Sequence, residues 1–171
     1  MSARNRRVSR DAGMAPTVGR VDMPVLVRGE GLPWLPFLAD GVHVKLCRAN
    51  LTTGEMVLLI RAAPGSGLAA HYHHGVFASY TVAGRWRYLG SNWVAARGDV
   101  VVGPAGATQA FEAVGEEPAE AFVHLTGALE FRDDVGRTIG IESAETLHGR
   151  YLAHCALYGL DPVDVTGGLR G

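Results

Sequence analysis

No apolar run in this chain is long enough to cross a bilayer. The longest aliphatic stretch, Met56 to Ile60, falls far short of the ~20 residues that a spanning helix needs. Charge of one sign is missing too. The 16 Lys and Arg residues nearly balance 17 Asp and Glu, for a net charge of −1. That balance gives no electrostatic case for nucleic acid or an anionic membrane as partner. Cysteine is scarce: Cys47 and Cys155 lie far apart and show no ligand spacing. They read as free thiols in a reducing, cytoplasmic compartment. The N-terminus carries Arg4, Arg6, Arg7 and Arg10 with no apolar stretch behind them, so it does not read as a secretory signal.

What the chain has is glycine and short apolar alternation. Its 171 residues give room for one domain, and 23 glycines suit many tight turns better than long helices. Residues 1–20 read as a disordered basic tail, 21–162 as a single domain and 163–171 as a loose C-terminus. Val21 to Val27 is expected to be a short strand. Gly29 to Asp40 is expected to be a loop whose apolar group (Leu32, Trp34, Leu35, Phe37, Leu38) covers a core edge or forms a lid. From Val42 onwards the period is two. Val42, Val44 and Leu46 share one face, and Met56, Leu58 and Ile60 another, opposite Val57, Leu59 and Arg61. Further strands are expected at 76–82, 85–88, 93–96, 108–113, 119–125, 129–132 and 138–141, with Val100 to Val102 as a buried one. After Ser143 the period lengthens. Leu147, Tyr151, Cys155 and Tyr158 recur every three or four residues, and Gly159 stops the run. This predicts one helix over about 144–158, capped by Ser143. Many short strands and one late helix mean an all-β barrel or sandwich.

The chemistry concentrates in Gly65-Ser66-Gly67-Leu68-Ala69-Ala70-His71-Tyr72-His73-His74-Gly75, which holds three of the seven histidines. On an extended strand His71 and His73 point to one face and His74 to the other. Two imidazoles on one face can share a metal ion. Gly65 lies six residues before His71, and Gly84 eleven after His73. A second block, Gly98-Asp99-Val100-Val101-Val102-Gly103-Pro104-Ala105-Gly106-Ala107-Thr108-Gln109, closes a strand with a Pro-x-Gly corner.

These two blocks resemble the paired motifs of the cupin superfamily, small antiparallel jelly-roll β-barrels with a metal in the mouth. Gly65, His71, His73 and Gly84 match the first motif, and Gly98, Pro104 and Gly106 the second. The motif carboxylate is replaced by Phe77, the second-motif histidine by Gln109 and its final asparagine by Ala113. The chain also resembles 2,4'-dihydroxyacetophenone dioxygenase and its relatives. The resemblance rests on Trp34-x-Pro36-Phe37, Tyr80-Thr81-x-x-Gly84-x-Trp86-Arg87-Tyr88, Trp93-Val94-Ala95 and Gly149-Arg150-Tyr151-Leu152-Ala153-x-Cys155, among others. It implies a non-haem Fe(II), with Zn, Ni or Mn as other divalent candidates. That metal binds O2 and a small chelating hydroxyketone or 1,3-dicarbonyl compound, and a carbon–carbon bond beside the carbonyl is cleaved. His71 and His73 would be ligands. Gln109 would be the third ligand or would hold a water, and His124 could supply the missing imidazole if it points inward. Tyr80, Trp86, Tyr88 and Phe111 are the candidate pocket walls, and Arg61 or Lys45 the partners of an anionic substrate. Two other readings use the same barrel: an oxygen-independent isomerase, cyclase or lyase, and a ligand-binding cupin like that of zinc-dependent anti-sigma factors. The latter carry an N-terminal domain with Cys and His ligands, which residues 1–20 lack. Fold-level analogy adds a homodimer.

Overall fold

The computed structural model describes residues 26–133 and 135–167. The expected basic tail and most of the Val21–Val27 segment lie outside them. Among the described residues the strands are β1 (Leu35–Phe37), β2 (Ala39–Asn50), β3 (Glu55–Ala62), β4 (Gly67–His73), β5 (Phe77–Ala83) and β6 (Arg85–Tyr88). They continue with β7 (Ala95–Ala96), β8 (Val100–Gly103), β9 (Thr108–Val114), β10 (Ala119–Leu125), β11 (Leu129–Arg132) and β12 (Thr138–Glu142), followed by helix α1 (Ala144–Tyr158). They form two six-stranded antiparallel sheets, in the orders β1-β2-β3-β10-β5-β8 and β12-β11-β4-β9-β6-β7. This is the jelly-roll arrangement, with the core between the two inner faces.

Period-two alternation builds the first sheet. Val42, Val44, Leu46, Met56 and Leu58 are buried between the layers. In β2 the register slips between Leu46 and Arg48, leaving Cys47 as the extra residue. That bulge turns Ala49 inward, where simple alternation would have turned it out. Beyond the strands, Ser143 caps α1: its side chain accepts from the Thr146 amide (3.3 Å), and the Thr146 hydroxyl accepts from the Ser143 amide (2.7 Å). Gly159 ends the helix in the left-handed region, at φ 64°. Leu147, Tyr151 and Cys155 are fully buried.

Four elements differ from the sequence-based expectation. The Gly29–Asp40 loop contains β1, which pairs with β2 and buries Leu35 and Phe37, while Leu38 turns outward. β8 is not a buried strand. It closes one edge of its sheet, and Val100 and Val102 are 62% and 72% exposed because no described residue covers that outer face. Tyr158 stands outside the buried helical stripe, at 64% exposure. The described part of the segment after α1 is tied down rather than loose. The Tyr151 hydroxyl donates to the Val163 carbonyl (3.1 Å) and accepts from its amide (2.7 Å). Val165 is buried, and its carbonyl takes the Ala49 amide.

Candidate functional site

β4 carries the histidines, and its irregularity aims them. Leu68 and His71 are three residues apart, yet both are buried. The register with β9 shifts between them, which supplies the extra residue. Gly67 lets β4 sit close to β9, since a side chain there would meet the Phe111 carbonyl oxygen at 2.0 Å. In the shifted register His71 stands directly opposite Gln109, so the two side chains share a face.

The two imidazoles are poised as neutral donors. Their ring centroids lie 4.9 Å apart. The Nδ1–H of His71 donates to the Ala69 carbonyl (2.8 Å), a group that the bulge makes available. This leaves the lone pair of His71 on Nε2. Burial pushes the pKa of His71 down. Burial, together with the His71 charge, pushes His73 down to about 4. Phe77, in the position of the motif carboxylate, stacks on His73 at 4.6 Å. The Nε2 of His73 and the Oε1 of Gln109 are buried side-chain atoms with no hydrogen-bond partner. A buried polar atom without a partner costs about 1–3 kcal/mol, so two of them on neighbouring strands point to something that binds there. Among the described residues no group of three or more His, Cys, Asp or Glu could hold a metal. The donor set is two neutral imidazoles and an amide oxygen, which fits a divalent ion with open positions.

The imidazoles open onto a cavity between the sheets of about 70 Å³. The first sheet contributes Ile60, Phe77, Ser79 and Val123, and the second Trp86, Tyr88 and Phe111. The aromatic rings brace one another: Trp86 lies 5.3 Å from Tyr88 and 5.5 Å from Phe111, and Trp93 lies 5.8 Å from Tyr88. Trp86 spends its ring N–H on the Thr81 hydroxyl (2.9 Å).

The structure therefore brings together His71, His73, Trp86, Tyr88 and Phe111, with Gln109 across from His71. It places the other candidates outside the cavity. On β10, Ala121, Val123 and Leu125 line the cavity, so His124 faces the other way and bonds Glu55 (2.8 Å). It cannot supply the missing imidazole. On β5, Phe77 and Ser79 point in, and Tyr80 is correspondingly 46% exposed. Arg61 lies on the outer face, paired with Glu120 and lying over the Trp34 ring. Lys45 reaches the Gly29 carbonyl (2.6 Å). Among the described residues no cation lines the cavity.

Sequence reasoning missed Ser79 and the anchoring of the β4–β11 edge. Ser79 is buried on the cavity wall, two residues after Phe77, and the alternation that places Phe77 would have found it. Glu130, on β11, accepts from Arg132 (2.9 and 3.1 Å), bonds His74 (2.9 Å) and also takes the Thr138 hydroxyl. It thereby ties the end of β4 to β11 and β12. His74, the outward member of the triplet, has this anchoring contact instead of a place in the cavity.

Comparison with known proteins places this geometry in a fold family. An RmlC-like cupin protein from Ralstonia eutropha JMP134 is 32% identical, with a TM-score of 0.79, over 83% of this chain and 93% of that one. A second protein from the same organism, of unknown function and with a cupin-like fold, is 22% identical with a TM-score of 0.73, over 78% and 86%. An acetylacetone dioxygenase from Acinetobacter johnsonii is 20% identical with a TM-score of 0.66, over 90% and 99%. The last two likenesses show the fold alone. No curated protein sequence matches the chain. The model of the ChrR cupin-like domain matches residues 22–133. With that match over more than half its length, the chain belongs to the ChrR cupin-like family of the cupin fold.

Proposed function

We propose that this protein is a metal-dependent cupin dioxygenase that cleaves a carbon–carbon bond in a small chelating ketone, an aromatic hydroxyketone or a 1,3-dicarbonyl compound. The observation that carries the reading is the pair of unpartnered buried atoms, His73 Nε2 on the wall of an aromatic cavity and Gln109 Oε1 on the strand opposite His71. The dioxygenase-like sequence blocks and the cupin fold support it. His71, His73 and Gln109 would hold the ion. A bound Fe(II) would supply Lewis-acid activation of the ketone and the electrons that activate O2, with both oxygen atoms ending in the products.

The chain's own residues prepare that chemistry. The Ala69 carbonyl fixes the His71 tautomer, and Phe77 holds the His73 ring in place. Burial keeps both imidazoles unprotonated at neutral pH, so no proton competes with the ion for them. The apolar walls exclude water from the reacting carbon, and the packed rings of Trp86 and Phe111 give the substrate an aromatic wall.

The test is metal content, followed by oxygen uptake. Protein purified without chelator is expected to hold near-stoichiometric iron, which the His71→Ala/His73→Ala double variant loses. Gln109→Leu should weaken metal affinity by about tenfold and Gln109→His should raise it by about as much, since imidazole is the stronger donor. Oxygen consumption should follow addition of an aromatic hydroxyketone or diketone to the iron-loaded protein. Iron-loaded protein that consumes no oxygen with any such ketone sinks the dioxygenase reading. One feature favours a second reading: an amide and a phenyl ring stand where the superfamily motifs place an imidazole and a carboxylate. A weaker, neutral donor set serves an oxygen-independent isomerase, cyclase or lyase, which needs only a Lewis acid and a proton shuttle. Turnover that survives under strict anaerobiosis selects it.

A further inference from the structure

The cavity holds one more polar atom without a use. Five side chains with polar atoms line it: His71, His73, Ser79, Trp86 and Tyr88. His71 Nδ1 is committed to Ala69, and the Ser79 hydroxyl reaches the Val101 carbonyl at 3.5 Å. The Tyr88 hydroxyl has no hydrogen-bond partner among the described residues. Its ring is held rigidly, edge-on to Phe77 (6.0 Å), Trp86 (5.3 Å) and Trp93 (5.8 Å). Phe77 stands between it and the imidazoles, stacked on His73 on one side and touching Tyr88 on the other. Burial pushes the phenol pKa further up, so the group remains a neutral donor throughout the working range. Unlike His73 Nε2 and Gln109 Oε1, this hydroxyl is not fully buried, and a rigidly held phenol at the cavity wall is preorganised for an acceptor brought by a ligand.

The chemistry of that acceptor is constrained by what surrounds it. The nearby cations, Arg61 and Arg87, are turned to outer positions and paired with Glu120 and Glu112. Among the described residues nothing in the lining could neutralise a carboxylate or phosphate. From this we infer that Tyr88 is the specificity-determining residue of the cavity. Its hydroxyl donates a hydrogen bond to a neutral acceptor that the substrate carries beyond Phe77, on the far side from the imidazole pair. The substrate class narrows to flat, uncharged ketones with a second polar atom away from the chelating oxygens. This rests on the reading that His71, His73 and Gln109 hold an ion that chelates the ketone.

The experiment uses protein loaded with Zn(II), which binds the ketone without turnover, and a pair of ligands of equal shape. 1-Phenylbutane-1,3-dione has no distal acceptor, whereas its 4-pyridyl analogue has a ring nitrogen in place of one C–H. Calorimetric affinities are measured for both ligands on wild type and on Tyr88→Phe, a variant that keeps the ring, with thermal melting of each protein as a check on folding. The expected result is a preference of wild type for the pyridyl ligand that falls by about 3- to 10-fold in Tyr88→Phe, the worth of one neutral hydrogen bond. Affinity for the phenyl ligand should stay within about twofold. If both ligands bind wild type and the preference is the same in Tyr88→Phe, the inference about Tyr88 is overturned and the metal reading stands. If neither ligand binds the Zn(II)-loaded protein, both are overturned.

Discussion

At the scale of single residues the site depends on one contact that no motif predicts. Gly103 faces Phe77 across the β5–β8 pair, and a methyl group built on it would lie 1.9 Å from the Phe77 ring. Gly103 is therefore the floor that lets Phe77 lie flat against His73. Gly103→Ala should force the ring off that position. The expected outcome is a loss of about 1–3 kcal/mol in urea unfolding, the usual cost of overpacking, together with weaker metal retention. Unchanged stability would mean that Phe77 moves freely and does not brace the imidazole. The same scale shows what was legible beforehand. The His71-x-His73 spacing, the Gln109 position and the shared face of Trp86 and Tyr88 all follow from period two and from motif spacing. Arg61, Tyr80 and His124 face away from the cavity because each stands at the opposite parity of its own strand from the residues that line it. The alternation already set Arg61 opposite Leu58 and Ile60, the two residues of β3 that line the cavity.

At the scale of elements, β4 is the piece whose position matters most, and Glu130 fastens its outer neighbour. The Arg132 guanidinium first, then the Thr138 hydroxyl and His74, hold the Glu130 carboxyl at about 2, below the ordinary value of 4.5. The sign follows from linkage. The folded protein keeps this carboxylate charged where the unfolded chain takes up a proton, so the contribution is full above pH ~4.5 and is lost as pH falls toward ~2. Glu130→Gln should lower the melting temperature at pH 7, and the gap to wild type should close as the pH drops through that window. A gap of equal size at pH 3 and pH 7 would assign the loss to packing instead. Element boundaries were mostly readable, because alternation and glycine turns mark them. The two bulges were not. A slip in register depends on the partner strand, and neither Cys47 nor the Ala69–Ala70 step announces it locally. β1 was hidden for a related reason. Its three residues include Pro36, and only pairing with β2 makes them a strand.

At the scale of the whole molecule, the two sheets divide their labour. Their inner faces hold the core and the cavity. The outer face of the first sheet stays apolar near its open edge, where Tyr80, Val100, Val102 and Phe122 are all exposed. Cross-strand register places Tyr80 beside both Val100 and Phe122, so these residues form a continuous patch. An uncovered apolar edge strand is a template for unwanted pairing. Replacing both valines, Val100→Lys and Val102→Lys, should slow aggregation on heating, as followed by light scattering, while metal content stays that of wild type. Aggregation at the original rate would show that another surface governs it. No helix among the described residues is long and apolar enough to cross a membrane.

The clustering of aromatic rings also equips the protein with an optical reporter. Of its three tryptophans, Trp86 is buried on the cavity wall, and Trp93 packs edge-on against it at 5.7 Å. Trp34 lies apart, under Arg61 and Lys45 on the outer surface. Two of the three tryptophans therefore stand beside the candidate site. Occupancy of the cavity can be followed as quenching of native fluorescence, and substituting Trp34 with Phe would remove the one emitter that has no view of it.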